Sequence, residues 1–521
     1  MTFDWSLPYP SRREVVLARN MVATSQPLAA QAGLEMLRRG GNAVDAAIAG
    51  AIALTVVEPC ANGIGSDAFA IVGDDTGLYG LNASGKSPVQ FDGSAITSTG
   101  WSPVTVPGAV SGWVALSEKF GDLDFETLFE PALHYANDGF HVSRQTALGW
   151  ARGAVRYAEF ETWQQTFTTN GTPPRVGELV KLPDHGKTLQ EIAETRGESF
   201  YCGRLAECMH ETSVNEGGFL RLEDLASHKC RWVDPIGIDC SEHTLYELPP
   251  NSQGIAALIA IGILQLLDHD LSACDSPEVL HLQIESMKRA FADANAFVAD
   301  PDISGTCEDL LEENRLKQHA SSISQSAEDS DQATLPRYSS TVYLASGDAK
   351  GRLVSFIQSN FEGFGSGIVI PKTGIALQNR GLGFSSDPNH PNCAGPSKQP
   401  FHTIIPAMLC DTKGARMAFG VMGGPMQPQG HLQVTCRIVF GNQNPQAAID
   451  APRWKILGGR QVAIEPGFPP SVYEGLKERG HDLVIAEDRT VAFGGGQAVY
   501  QLGHGYVGAS DQRRDGQAVG F

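Results

Sequence analysis

The 521-residue chain has no cluster of lysine and arginine, and its net charge is −20. A chain this acidic, with no basic stripe, is expected to bind neither nucleic acid nor an anionic membrane. An anionic small molecule held by one or two local arginines stays possible. No run is apolar for long enough to cross a bilayer, and the most apolar one, Gly254 to Leu267, is short and reads as a buried helix. The beginning, MTFDWSLPYPSRR, lacks the basic-then-apolar pattern of a secretory signal. The 10 cysteines are scattered, and the nearest pairs, Cys202/Cys208 and Cys230/Cys240, match no metal-ligand spacing. Free thiols in a reducing cytoplasm are expected, with no metal and no other cofactor.

Nucleotide-binding order is missing as well. The Gly-rich loop Glu58–Asp67 follows a helical pattern and precedes the strand-like Ala68–Val72. A phosphate cradle needs the reverse order, strand then loop then helix. The glycines at 363–367 and 494–496 fail on similar grounds.

What is present is an ordinary globular composition, 42% hydrophobic and 19% charged. The length allows roughly two to four domains, or fewer if the core is one large layered α/β body. Met21–Ser25 reads as a strand. Pro27 opens a helix that Gly40-Gly41 stops, and a nearly all-apolar helix follows from Ala43 to Val56, as befits a core. Phe125–Ser143 has helical spacing, Arg231–Leu248 is strand-like, and Ser276–Asp300 is a helix. Further strands are expected over Ile368–Leu377 and Pro400–Met408, and a helix over about His431–Phe440. No internal repeat is visible.

The chain is organised around Thr341. Thr341–Leu344 and Leu353–Phe361 flank the turn cluster Gly347–Gly351. In the second run Leu353, Ser355, Ile357, Ser359 and Phe361 alternate with Val354, Phe356, Gln358 and Asn360, which makes a β-hairpin. Upstream, Ser321–Ser340 is polar, Ser-rich and acidic, and reads as a flexible loop. A loop delivering a threonine to the start of a central strand suits a chain that cuts itself there. A new N-terminal threonine carries its own base, since a free α-amine has a pKa of about 7.7–8.0. In the uncut chain that nitrogen is an amide and cannot serve.

Several blocks together resemble the gamma-glutamyltransferases, which are N-terminal nucleophile (Ntn) hydrolases. The blocks are Gly40–Phe69, Val106–Trp113, Leu353–Gly381, Asn444–Trp454 and Gly508–Arg513, in family order along nearly the whole chain. The resemblance implies an α/β protein of the four-layer αββα sandwich type. It also implies a precursor cut between Ser340 and Thr341, giving subunits 1–340 and 341–521 that stay associated, and leaves open a higher oligomer. Thr341 matches the catalytic threonine, and Gly423 and Gly424 match the pair whose N–H groups form the oxyanion hole. The second hydroxyl that the family often carries after the nucleophile is replaced here by Val342.

The departures bear on specificity. Ser84 stands where the family has an arginine for the glutamate α-carboxylate. Gly383 stands where it has an acid for the α-ammonium, and His402-Thr403 replace two serines. The pocket has lost an acid and gained Arg380. This pattern resembles the divergent branch with oxamate amidohydrolases and glutaryl-cephalosporin acylases. The expected enzyme hydrolyses a small amide whose acyl part bears a carboxylate, with Arg380 as the carboxylate ligand. Asn379, His402, Thr403, Ser359 and Asn360 are further pocket candidates, each with a structural role as the alternative. A gamma-glutamyl hydrolase or transferase acting on glutathione, and an inactive member serving as a binding protein, are the other readings.

Overall fold

A computed structural model describes residues 13–329 and 340–521. Two seven-stranded antiparallel sheets stack face to face. The first runs Gln517–Gly520, Met21–Thr24, Ser340–Gly347, Leu353–Phe361, Asp67–Asp74, Gly77–Ala83, Arg231–Val233. The second runs Val16–Ala18, Tyr506–Ser510, Gly495–Gln501, Gly414–Met422, Ala407–Asp411, His243–Glu247, Ile236–Cys240. Both sheets mix strands from either side of Ser340.

Alternation in the hairpin assigns the layers. Tyr343, Ala345, Leu353 and Ile357 point between the sheets, into a core shared with Met408, Ala418 and Val499. Val342, Leu344, Val354 and Phe356 point the other way, into a core built with helices. A period of two with both faces apolar is what a strand covered on both sides requires. The outer helices of the second sheet, Ile255–Gln265 and Pro277–Phe297, fill a third core. The result is the expected αββα sandwich.

The helix Ala43–Val57 is buried along its whole length. Asn42 caps it through a capping box: its side chain accepts from Val44 and Asp45 N–H, and Asp45 accepts from Asn42 N–H. Each buried Ile or Leu on it contributes about 1.5–3 kcal/mol relative to exposure. Gly50 lets it lie close on the hairpin, because a Cβ there would stand 2.4 Å from Leu344 Cδ1.

Several expectations need correction. The stretch Ile368–Leu377 forms only isolated bridges, Val369 with Ala376 and Leu377 with Gly65. In Pro400–Met408 the strand begins only at Ala407, because the preceding segment satisfies its backbone with loops: His402 N–H donates to Asn251 O, and Ile404 and Ile405 N–H to side chains. The helix expected from His431 starts at Met426 and ends as a π-turn over Cys436–Phe440. Phe125–Ser143 divides into a 3-10 turn, the helix Glu130–Asp138 and a short strand. Of the loop expected over 321–340, residues 330–339 lie outside the described residues, while Ser321 and Ser322 close a helix, Glu313–Ser322. All ten cysteines are free. No described helix is long and apolar enough to cross a membrane.

Candidate active site

Thr341 lies in a bulge. Ser340 pairs with Phe361 and Val342 with Gln358, with a register shift between them. The extra residue belongs to the partner strand, where Ser359 and Asn360 together face Thr341, and a bulge re-aims the side chains around it. Thr341 Oγ1 lies 3.0 Å from Ser359 Oγ, and Ser359 Oγ donates to Ser340 O at 2.9 Å and accepts from Phe361 N–H at 2.8 Å. The hydroxyl of Ser359 thus touches both the Thr341 oxygen and the carbonyl of the preceding residue. Thr341 is buried and Ser340 half-buried.

The strand Gly414–Met422 crosses the hairpin from the other sheet. A Cβ on Gly73, two pairings from Gly347 through Leu353, would meet Ala415, and a Cβ on Gly420 would meet the Tyr343 ring. The chain from 415 to 424 therefore runs toward the Thr341 end. There Gly423 and Gly424 adopt φ of +132° and +58°, a region that favours glycine. Their carbonyls accept from Met426 and Gln427 N–H, opening the next helix. Among the described residues neither glycine N–H donates a hydrogen bond. Gln253 Nε2 donates to Gly424 O at 3.0 Å and to Thr403 O at 2.5 Å, joining the glycine turn to the pocket wall.

Arg380 is fully buried. Its Nη1 donates to Thr403 Oγ1 at 2.8 Å, while Nε and Nη2 have no partner. The Phe361 ring covers the guanidinium, with its centroid 4.5 Å from Cζ, and Phe361 holds φ at +74° to do so. A left-handed Phe is uncommon and strained. Burial presses the Arg380 pKa down to about 9, opposed by the nearby Asp67 anion, which leaves it a cation at neutral pH.

His402 and Asp67 are both fully buried, with His402 Nε2 3.1 Å from Asp67 Oδ2. His402 Nδ1 accepts from Ile404 N–H at 3.4 Å, so the ring proton sits on Nε2 and is donated to Asp67. Burial and then Arg380 hold His402 far below its usual pKa, so it is neutral. Asp67 Oδ1 accepts from Gly108 N–H at 3.1 Å. Burial raises Asp67 to about 7, against the pull of Arg380 and the Gly108 and Gly85 N–H groups.

The remaining candidates bond to neighbouring loops. Asn379 Oδ1 accepts from Glu362 N–H, and its Nδ2 donates to Glu362 Oε2 and Ser98 O. Asn360 Oδ1 accepts from Ser66 Oγ at 2.7 Å, and its Nδ2 has no partner. Ser84 is occupied by Asn82 and Gln399. At Gly383 a Cβ would stand 2.2 Å from Phe401 O, so this backbone admits no acidic side chain there. Sequence reasoning missed Asp67 and Gln253 as site residues. For Asp67 the available signal was an acid directly before the apolar run Ala68–Val72. Among the described residues one group of metal-ligand type is gathered, His281, Glu285 and His481, but Lys288 and Arg289 already bind its carboxylate.

Sheet order and layering define the Ntn-hydrolase class of fold. The sequence model described as Gamma-glutamyltranspeptidase matches residues 29–521, and the chain belongs to that family of hydrolases and acyltransferases. It is 34% identical over 527 residues to the Glutathione hydrolase-like YwrD proenzyme of Bacillus subtilis, covering 98% of this chain and 100% of that one. It is 33% identical over 533 residues to the Oxamate amidohydrolase proenzyme of Klebsiella pneumoniae, covering 97% and 99%. Among solved structures, the cephalosporin acylase from Bacillus halodurans superposes with a TM-score of 0.95 at 44% identity, covering 100% of this chain and 99% of that one.

Proposed function

We propose that the chain is a self-processing amidohydrolase whose nucleophile is Thr341 and whose acyl pocket is anchored by Arg380. The observation that carries this reading is a fully buried guanidinium with Nε and Nη2 unpartnered. A buried arginine fork with one edge unpartnered can receive a carboxylate through two parallel hydrogen bonds.

Processing begins when Thr341 Oγ attacks the Ser340 carbonyl carbon, moving the acyl group from nitrogen to oxygen. Ser359, which donates to Ser340 O, polarises that carbonyl. Water then hydrolyses the ester and leaves Thr341 with a free amine. In turnover that amine takes the Thr341 hydroxyl proton as the oxygen attacks the substrate amide. The Gly423 and Gly424 N–H groups, which donate to nothing else among the described residues, meet the oxyanion. The amine product leaves with a proton, and water releases the acid from the Thr341 ester. The proenzyme names of the relatives fit a chain that is cut into subunits 1–340 and 341–521. The free thiols fit a reducing cytoplasm.

Selectivity follows from charge. An α-ammonium beside Arg380 would need an anion, and Gly383 cannot carry one. Oxamate-like or glutaryl amides, with a carboxylate and no ammonium, avoid that cost. The alternative, a gamma-glutamyl substrate such as glutathione, draws support from one observation: Asp67 is a buried acid near Arg380. Against it, Asp67 is already bonded to His402 and to backbone N–H groups. The test is kcat/KM for a γ-glutamyl anilide and its des-amino glutaryl analogue on mature enzyme. The glutaryl compound is expected to be faster. A preference for the γ-glutamyl compound would overturn the reading and assign Asp67 to the ammonium.

A further inference from the structure

Two side chains flank the buried carboxyl of Asp67, the Arg380 cation and the neutral His402 ring that donates to Oδ2, while the half-buried Tyr201 phenol, donating to Pro107 O, lies within electrostatic range. Gly108 N–H completes the cradle. Arg380 and Asp67 influence one another without touching, since no ion pair within 4.0 Å joins them, and the arginine keeps two donors unused. With Asp67 ionised, the pocket is neutral overall before substrate arrives. Seating a carboxylate on Arg380 then puts two anions beside one cation, all out of water.

Two carboxylates in one buried site do not both stay ionised. We propose that Asp67 is a specificity-determining residue that takes up one proton from solvent when a substrate carboxylate docks on Arg380. This rests on the reading of Arg380 as the carboxylate ligand. The step is an ordinary protonation: one solvent proton adds to the Asp67 carboxylate, and no other bond changes. The carboxyl can be neutralised without rebuilding the site, because its neighbours donate from neutral groups. His402 and Gly108 N–H lose an anionic acceptor but keep an oxygen to donate to.

The sign follows by linkage. Asp67 carries its proton below about 7 and loses it above. Carboxylate-bearing amides are therefore favoured on the acid side, and neutral amides are indifferent. Thr341 and its amine serve both substrates equally, so their own titration cancels in a ratio.

The experiment is the ratio of kcat/KM for glutaryl-p-nitroanilide to that for butyryl-p-nitroanilide, measured on mature enzyme from pH 6 to pH 8.5. In wild type the ratio is expected to fall with pH, approaching roughly tenfold per unit above neutrality. In Asp67→Asn it should be flat with pH. Asp67→Ser removes the carboxyl without enlarging the side chain and gives the same reading where the amide variant does not fold. Asp67→Glu should restore a slope, which a merely structural role would not. A wild-type ratio that is large, independent of pH and abolished by Arg380→Ala overturns the role of Asp67 alone. A ratio near one throughout, or one that Arg380→Ala does not change, overturns the carboxylate ligand and this proposal with it.

Discussion

Two buried arginines in this molecule have opposite surroundings. Arg513 spends every donor: Nε on Glu465 at 2.8 Å, Nη1 on Ile449 O and Asp511 at 3.1 Å each, and Nη2 on Ala451 O and Glu465. Arg380 spends one, on Thr403. Burial disfavours charge at both, yet Asp511 and Glu465 raise the pKa of Arg513, while Arg380 is lowered. A buried cation whose donors are all used ties strands together. One with donors to spare carries a standing cost in stability, which the proposed substrate carboxylate would relieve at Arg380.

That contrast can be broken by experiment. Before it comes the largest expected effect: Thr341→Ala should remain one full-length chain on a denaturing gel and show no amidase activity. An active Thr341→Ala would remove Thr341 from both steps. Next, Arg513→Met leaves Glu465 buried without its cation and Asp511 with Arg453 alone, which should cost about 3–5 kcal/mol by denaturant unfolding of the precursor. Arg380→Met should cost clearly less, with its loss falling on KM for carboxylate-bearing amides. Equal losses of stability would erase the distinction between the two arginines.

Gly424→Ala probes the chemistry that Arg380 is proposed to feed. Losing one aligned N–H should cost about 2.7–4 kcal/mol in turnover. The residue's φ of +58° adds about 1–2 kcal/mol of folding cost for an alanine. Undiminished kcat in a folded, processed variant would move the oxyanion hole elsewhere. The smallest change is Arg380→Lys, which keeps the charge and loses the fork. A KM effect of roughly 1.5–3 kcal/mol, one charge-assisted hydrogen bond, is expected. Wild-type KM would mean that charge alone suffices.

How far the sequence reaches depends on where the deciding contacts lie. The hairpin 340–361 and the helix after Asn42 were legible because their patterns are local: alternation, a turn cluster, an apolar run behind a glycine stop. Pro400–Met408 looked like a strand because it is apolar, yet its first half is held by Asn251, Gln253 and Gln427, about 150 and 22 residues away in the chain. Thr341 stands out by position, and Arg380 by replacing a known pattern. Asp67 was passed over because its meaning comes from His402, 335 residues on. Gln253 shows the same limit, since its two acceptors are carbonyls that no side-chain pattern marks.

The interleaving of the two sheets has a further consequence once the 340–341 bond is cut. Ser340–Gly347 lies between Met21–Thr24 and Leu353–Phe361, and Leu353–Phe361 lies against Asp67–Asp74. Each fragment would hold three or four of the seven strands of each sheet, and neither could complete a strand order alone. Folding instructions written for one connected chain would then have to be executed by two, at concentrations set by diffusion instead of by a covalent tether. Maturation would thus be a ratchet. The peptide link would assemble the sandwich once and be spent in making the proposed nucleophile, and persistence afterwards would rest on slow unfolding instead of a recoverable equilibrium.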